Sequence, residues 1–527
     1  MSTLRNSLFL SLMMCALSPA GFSQALPPAQ PARFQTPVSN NEEGFMAMSM
    51  EQEGLIMVHD IGKYQRDQKE WEMVVLDTAL RPAWSAKFTL ENELGFIGYE
   101  YKPGYFFMLF TKSTPDSFKG TILKVNLATR TWSLDKIDVQ LNLKITHYTV
   151  AGLNSIIGGT VGTQPAIAIY QHETGRTRIL PGFFLTDADL LDIKPNHNNT
   201  FSLLQLQKSG REKTLVYRAY DREGNLLVED RFRVDAEVSI LSALTSTLHN
   251  EEVMITGAYT YGTNKLASGF FTAMVNPFDV QPLTYTDFTV LDHFLDYMPE
   301  NKSSRIVEKA SQRKTFGRIP DYRMAVNLHR LDDHPFGFIL FGEAYVPPVQ
   351  SSNNFMTNPY TMRGAGYGFP YYWGFPSMRY YGYDPFMQQP MAQADYRMVS
   401  TFAIAFDHAG NRLWDQSLPY DDLRTHSSTQ VADVVASPVG AAFIYTDEGG
   451  IHYSISSDNR EKKSAGETPL RLPPDEQLRT EGNAGHTVRW WFGRKLFIFG
   501  YQQLRDLSNP EDVHRKRVFF INKVSLD

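Results

Sequence analysis

Short apolar segments, rich in β-branched and aromatic residues and bounded by glycine or polar turns, recur along the whole chain. Eight of them resemble one another: Leu55–Val58, Tyr105–Phe110, Ser155–Ile157, Ser202–Leu206, Val253–Thr256, Gly337–Phe341, Ala442–Tyr445 and Leu496–Phe499. Their length and residue types predict β-strands. Several end in glycine, at Gly158, Gly257, Gly342 and Gly500. Their starts are separated by 50, 50, 47, 51, 84, 105 and 54 residues, so a period near 50 is kept five times and broken twice.

Each segment is followed by another strand that ends in a polar turn, and the turns align. Asp77-Thr-Ala-Leu80 leads to Trp84, Asp221-Arg-Glu-Gly224-Asn225 to Val228, and Asp407-His-Ala-Gly410-Asn411 to Trp414. Weaker copies are His172-Glu-Thr-Gly175 and Asn276-Pro-Phe-Asp279. An Asp or Asn at the first position bonds the backbone two residues on, and a glycine or asparagine near the end tolerates positive φ. A four-stranded antiparallel unit repeated at this length predicts an all-β fold, a single β-propeller of eight four-stranded blades with seven as the alternative. The turn pattern resembles that of secreted quinoprotein-like and WD40-like propellers over most of the chain. The resemblance implies architecture and carries no ligand with it, because the motif serves the hairpin.

The ends of the chain change the picture next. Arg5, the apolar run Leu8–Leu17 and the small residues Ser18, Ala20, Gly21 and Ser23 form a secretory signal, expected to span residues 1–23 and to leave Gln24 first, with cleavage after Ala20 as the alternative. The run is too short to cross a bilayer, which takes about 20 apolar residues. Cys15, the single cysteine, lies inside that signal after Met14 rather than a small residue, which disfavours a lipoprotein signal and leaves the mature chain without thiols. The protein is therefore expected to be exported, to the periplasm, the outer membrane's surface or the medium. Residues 24–40 are read as a leader through Ala32 followed by a strand, Arg33–Val38, that pairs with Val518–Val524 and closes the ring. The propeller occupies 41–527.

A formal net charge of −6, with no block of lysine and arginine, excludes a nucleic-acid partner, since phosphate binding needs a basic surface. No HExxH, His-x-His or zinc-type spacing occurs among the 13 histidines, and no nucleophile elbow or phosphate-cradling loop is present. Neither metal nor cofactor is expected. Asp292-His293 and Asp332-Asp333-His334 come nearest to a titratable group and are read as loop residues.

The two breaks in the period are where function is expected. The first, residues 291–318, lacks strand alternation over Asp292–Met298 and Ser303–Ala310 and predicts a helical insertion capped by Ser303, with a basic second half that includes Arg305 and Arg313. The second, residues 347–395, holds twelve aromatics between Phe355 and Phe386 among glycine, proline and methionine. Tyr371, Tyr372, Trp373, Tyr380 and Tyr381, with Arg305 and Arg313, are the expected contact residues, because tyrosine and tryptophan give large contact area at low entropic cost. The leading expectation is a non-catalytic binding or scaffold protein of the cell envelope, docking a protein or a glycan. A glycan-active hydrolase or lyase with its site at the propeller channel is the alternative, and a purely structural envelope protein the third.

Overall fold

The computed structural model describes residues 27–39, 42–113, 118–182, 187–248, 251–262, 266–278, 282–316, 322–347, 396–425, 429–447, 450–456, 463–478, 486–506 and 516–526. It is an eight-bladed β-propeller with one α-helix among the described residues. Seven blades are four-stranded antiparallel sheets built in chain order from residues 43–91, 95–139, 143–179, 188–234, 238–287, 325–419 and 433–469. The eighth takes its three inner strands, Thr487–Phe492, Lys495–Asp506 and Lys516–Ser525, from the end of the chain and its outer strand from the beginning.

That outer strand, β1, is Ala29–Pro37, and it runs antiparallel to Lys516–Ser525 with Arg33 opposite Asn522 and Pro37 opposite Val518. It begins four residues before Arg33, so Ala29–Ala32 is paired chain and not leader: Ala29 lies opposite Ser525 and Ala32 opposite Lys523, with an irregularity between them. Arg33 fixes the join through Asn522 Oδ1 (3.0 Å), Gln502 Oε1 (2.8 Å) and the face of Phe520 (4.6 Å).

Strands are named A to D from the axis outward. All eight recurrent segments of the sequence fall in strand B. Strand B lies between neighbouring blades and is buried on both faces, so it reads as a continuous apolar run: Phe106–Phe110 is wholly enclosed. Strand D is half exposed and alternates, as in Thr131–Val139 and Leu226–Val234. Hydrophobic clusters fill the gap between each pair of adjacent blades, including the pair made by the last and the first, and the gap between blades 6 and 7 holds two. The aligned polar turns all join C to D. In three of them Asp77, Asp221 and Asp407 accept from backbone N–H groups two and four residues on, at 2.8–3.0 Å.

Strand A carries a feature that the sequence does not announce. In blades 2 to 6 one residue bulges out of register with strand B: Ile97, Thr146, Leu191, Leu241 and His329. The recurrent glycine of strand B faces this bulge in blades 5 and 6. A Cβ on Gly257 would lie 2.2 Å from the Ser242 carbonyl oxygen, and one on Gly342 2.5 Å from that of Asn327.

Candidate functional site

Because the strands of a blade alternate in direction, the D-to-A links between blades and the B-to-C loops within them share one face, called here the upper face. Both insertions belong to it. The first follows strand D of blade 5 (Thr284–Asp287) and leads into strand A of blade 6 (Ala325–His334). The second leaves strand B of blade 6 (Gly337–Val346) and returns on strand C (Tyr396–Phe406), with Val346 opposite Arg397.

The first insertion opens with a 3-10 turn, Phe288–Val290, started by Asp287, which accepts from Thr289 N at 2.9 Å and Oγ1 at 2.6 Å. Residues 292–298 form bends and turns rather than helix, because Phe294 and Leu295 turn inward with Phe288, whose ring stacks on Phe294 at 4.2 Å. Asp292-His293 is tied down as well: both backbone N–H groups donate to the buried Asp415 carboxylate, at 2.9 and 2.8 Å. The helix α1 is Glu300–Phe316, three residues longer at its start than expected. Ser303 is therefore not its cap. Its Oγ donates to Glu300 O, and the Pro299 carbonyl accepts the first N–H groups. Arg305 is exposed on α1; the side chain of Arg313 lies outside the described residues.

Ile306 of α1 and Val346, at the root of the second insertion, pack on one cluster with Phe288, Phe294 and Phe402. Helix α1 and the root of the second insertion thus share one footing. Tyr371, Tyr372, Trp373, Tyr380 and Tyr381 lie outside the described residues. Where the second insertion returns, Tyr396 lies 5.8 Å from Tyr345, and Arg424–Thr425 adds a short strand to Tyr396–Arg397.

Beneath this root sits Glu343, fully buried. Its carboxylate meets His329 Nε2 (2.7 Å), accepts from Ala432 N (2.9 Å), Val431 N and the Tyr420 hydroxyl, and so ties blade 6 to the link into blade 7. Further along the same face, Asp447, His452 and Glu467 of blade 7 bring three possible metal-ligand atoms within 4.8 Å of one another, from positions whose spacing matches no motif.

The channel end of each A strand supplies the second concentration of polar groups. Side chains staple neighbouring A strands to one another: His147 to Leu191 O (3.3 Å), Asp192 to Thr245 N (2.7 Å), Arg330 to Val434 O (2.8 Å) and Asp433 to Trp490 N (2.7 Å). Lys194 of blade 4 approaches Leu331 O of blade 6 at 3.5 Å, across the axis from one strand to the next but one. Asp332 pairs with Arg330 at 2.5 Å, and Asp333 with Thr247 and, at 3.7 Å, His197, so this acidic pair serves the lining. Burial pushes the Glu100 carboxyl up to about 7 and that of Asp192 up to about 6, against the pull of Lys102 and Lys194 on the first and of Lys194 on the second. Burial also depresses His147 to about 4. Strongly shifted carboxyls in a cleft are a recognised mark of function and of structural ion pairs alike.

No protein-family model matches the chain, and no curated protein does. Solved structures do. It is similar to polysaccharide lyase Uly1 at 9% identity and TM-score 0.38, covering 94% of this chain and 100% of that one. It is similar also to the β-propeller domain of the Trilobed protease from Pyrococcus furiosus, at 9% identity and TM-score 0.33, covering 83% and 96%. The Dos1 propeller follows at 10% identity and TM-score 0.32, covering 82% and 93%. At such values nothing about activity follows from them. Among the described residues no helix is long and apolar enough to cross a membrane.

Proposed function

We propose that the protein is an exported envelope factor that docks a protein or a glycan on the upper face of its propeller, around blade 6, without chemistry of its own. The observation that supports this reading is the shared footing of the two insertions: Ile306 and Val346 pack on the same cluster, so an exposed cationic helix and a segment of twelve aromatics start from one place. Arginine stacked on tyrosine adds about 0.5–2 kcal/mol per well-placed pair. Arg305 and Arg313, with Tyr371, Tyr372, Trp373, Tyr380 and Tyr381, are the proposed contacts.

The test replaces residues 348–395 by a short Gly/Ser linker and, separately, the five named aromatics by serine. Parent and variants are compared on a panel of envelope polysaccharides and by cross-linking in the envelope of the source cell. Both variants should melt with the parent and lose its binding. Unchanged binding by the serine variant would sink the reading.

A second reading, a glycan-active enzyme, draws on Glu100, whose raised carboxyl lies 3.8 Å from Lys102 inside the channel. It ranks below docking because Glu100 and Lys194 are both nearly inaccessible. Release of sugar or of unsaturated product by the parent, abolished in Glu100→Gln, would promote it.

A further inference from the structure

The upper edge of blade 7 holds a group of side chains that neither insertion uses. Asp447 closes strand B at the turn into strand C, His452 stands on strand C (Gly450–Ser456), and Glu467 on strand D (Lys463–Pro469) lies directly opposite His452. We infer that Asp447, His452 and Glu467 form a binding site for one divalent transition-metal ion of the zinc class. The inference stands apart from the docking proposal.

The donor set is one imidazole and two carboxylates, from three different backbone positions, with all three ligand atoms inside 4.8 Å. Nitrogen and carboxylate oxygen together suit zinc or manganese, whereas calcium and magnesium take oxygen alone. Around a zinc ion with bonds of about 2.0–2.2 Å, neighbouring donors sit roughly 3–3.5 Å apart. The exposed Asp447 and Glu467 therefore need only swing inward, by about an ångström, with the backbone left in place.

Two features hold the donors ready. The His452 ring stacks on the buried Tyr445 at 4.6 Å with an interplanar angle of 7°, and Nε2 meets Asp447 Oδ2 at 2.7 Å, so the nitrogen already points at the carboxylate side. Gly450 leaves room for the other acid: a Cβ there would lie 2.5 Å from Glu467 Oε1. Any other residue at position 450 would push that carboxylate away from its neighbours.

The charge is unbalanced. Among the described residues no lysine or arginine forms an ion pair with Asp447 or Glu467; the charged group that meets Asp447 is His452 itself. Like charges at this separation repel by about 1 kcal/mol even in water. A bound dication would reverse the sign. Three protein ligands leave open positions for water or for an oxygen of a bound molecule, the arrangement of accessible rather than closed zinc sites.

Calorimetric titration of the full chain, stripped with EDTA and dialysed, decides the matter, using Zn²⁺ with Ca²⁺ and Mg²⁺ as comparisons. One Zn²⁺ should bind per chain, with Ca²⁺ and Mg²⁺ at least tenfold weaker. His452→Ala and Glu467→Gln should each weaken Zn²⁺ binding by at least about tenfold while melting with the metal-free parent. Glu467 is exposed, so its variant keeps the test open should His452→Ala disturb the blade. Absence of stoichiometric Zn²⁺ binding, or binding unchanged in Glu467→Gln, would overturn the site.

Discussion

A glycine in strand B looks at first like an ordinary punctuation mark. Gly257 and Gly342 are instead the places where strand A, thickened by its bulge, comes too close for any side chain. Gly342→Ala should lower stability by on the order of 2–4 kcal/mol, because the Asn327 carbonyl is backbone and the Phe402 ring beside it is packed. Urea denaturation measures it, and a midpoint equal to the parent's would show that strand A yields. Glu100 makes a pH-dependent case. Its carboxyl rises from an ordinary value near 4.5 to about 7 in the folded chain, where it faces Lys102, Lys194, Glu51 and Thr149. Between those values the folded state holds a proton that the unfolded state has released, so stability falls as pH rises through the window. Glu100→Gln removes this loss. Relative to the parent, it should gain about 2–3 kcal/mol between pH 5 and pH 8, read from paired denaturation curves.

At the scale of elements, strand B and the C-to-D turns were legible because each carries its reason locally. A strand buried on both faces must be apolar throughout, and an Asp that bonds its own turn needs no distant partner. The A-strand bulges are not legible, since Ile97, Leu191 and Leu241 are ordinary strand aliphatics and Thr146 and His329 do not resemble them; what the five share is a place beside the axis. The helix is legible but its start is not, as Ser303 imitates a cap three residues inside α1. Asp447, His452 and Glu467 escaped notice for a different reason: cross-strand pairing brings them together, and the register of blade 7 cannot be read from spacing. The closing strand makes its own prediction. Removing residues 27–38 strips Lys516–Ser525 of its outer partner and of Arg33, and exposes a sheet edge. Tm should fall by several degrees and the chain should begin to self-associate, both visible in a thermal scan with light scattering. A variant as stable and monomeric as the parent would mean that the ring is held by blade packing alone.

For the whole molecule, hydrophobic clusters at all eight joints between blades and a line of side-chain staples between A strands make the ring a set of like joints. Only one joint is made across the ends of the chain. Its outer strand, Ala29–Pro37, precedes every other strand, and its partner, Lys516–Ser525, comes after them all. At about 5–20 residues per second, a ribosome needs roughly half a minute to a minute and a half to travel from one to the other. For that time the early strand waits beside growing sheets whose edges would accept it. Pro27, Pro28, Pro31 and Pro37 bracket and interrupt it, and a proline offers no N–H to a neighbouring strand. The same prolines cost the finished blade little, because the outer edge of an outermost strand faces no further strand, and there the Gln30 and Pro31 carbonyls accept from Arg471 instead. During the wait they leave the first strand with fewer N–H groups to offer those edges.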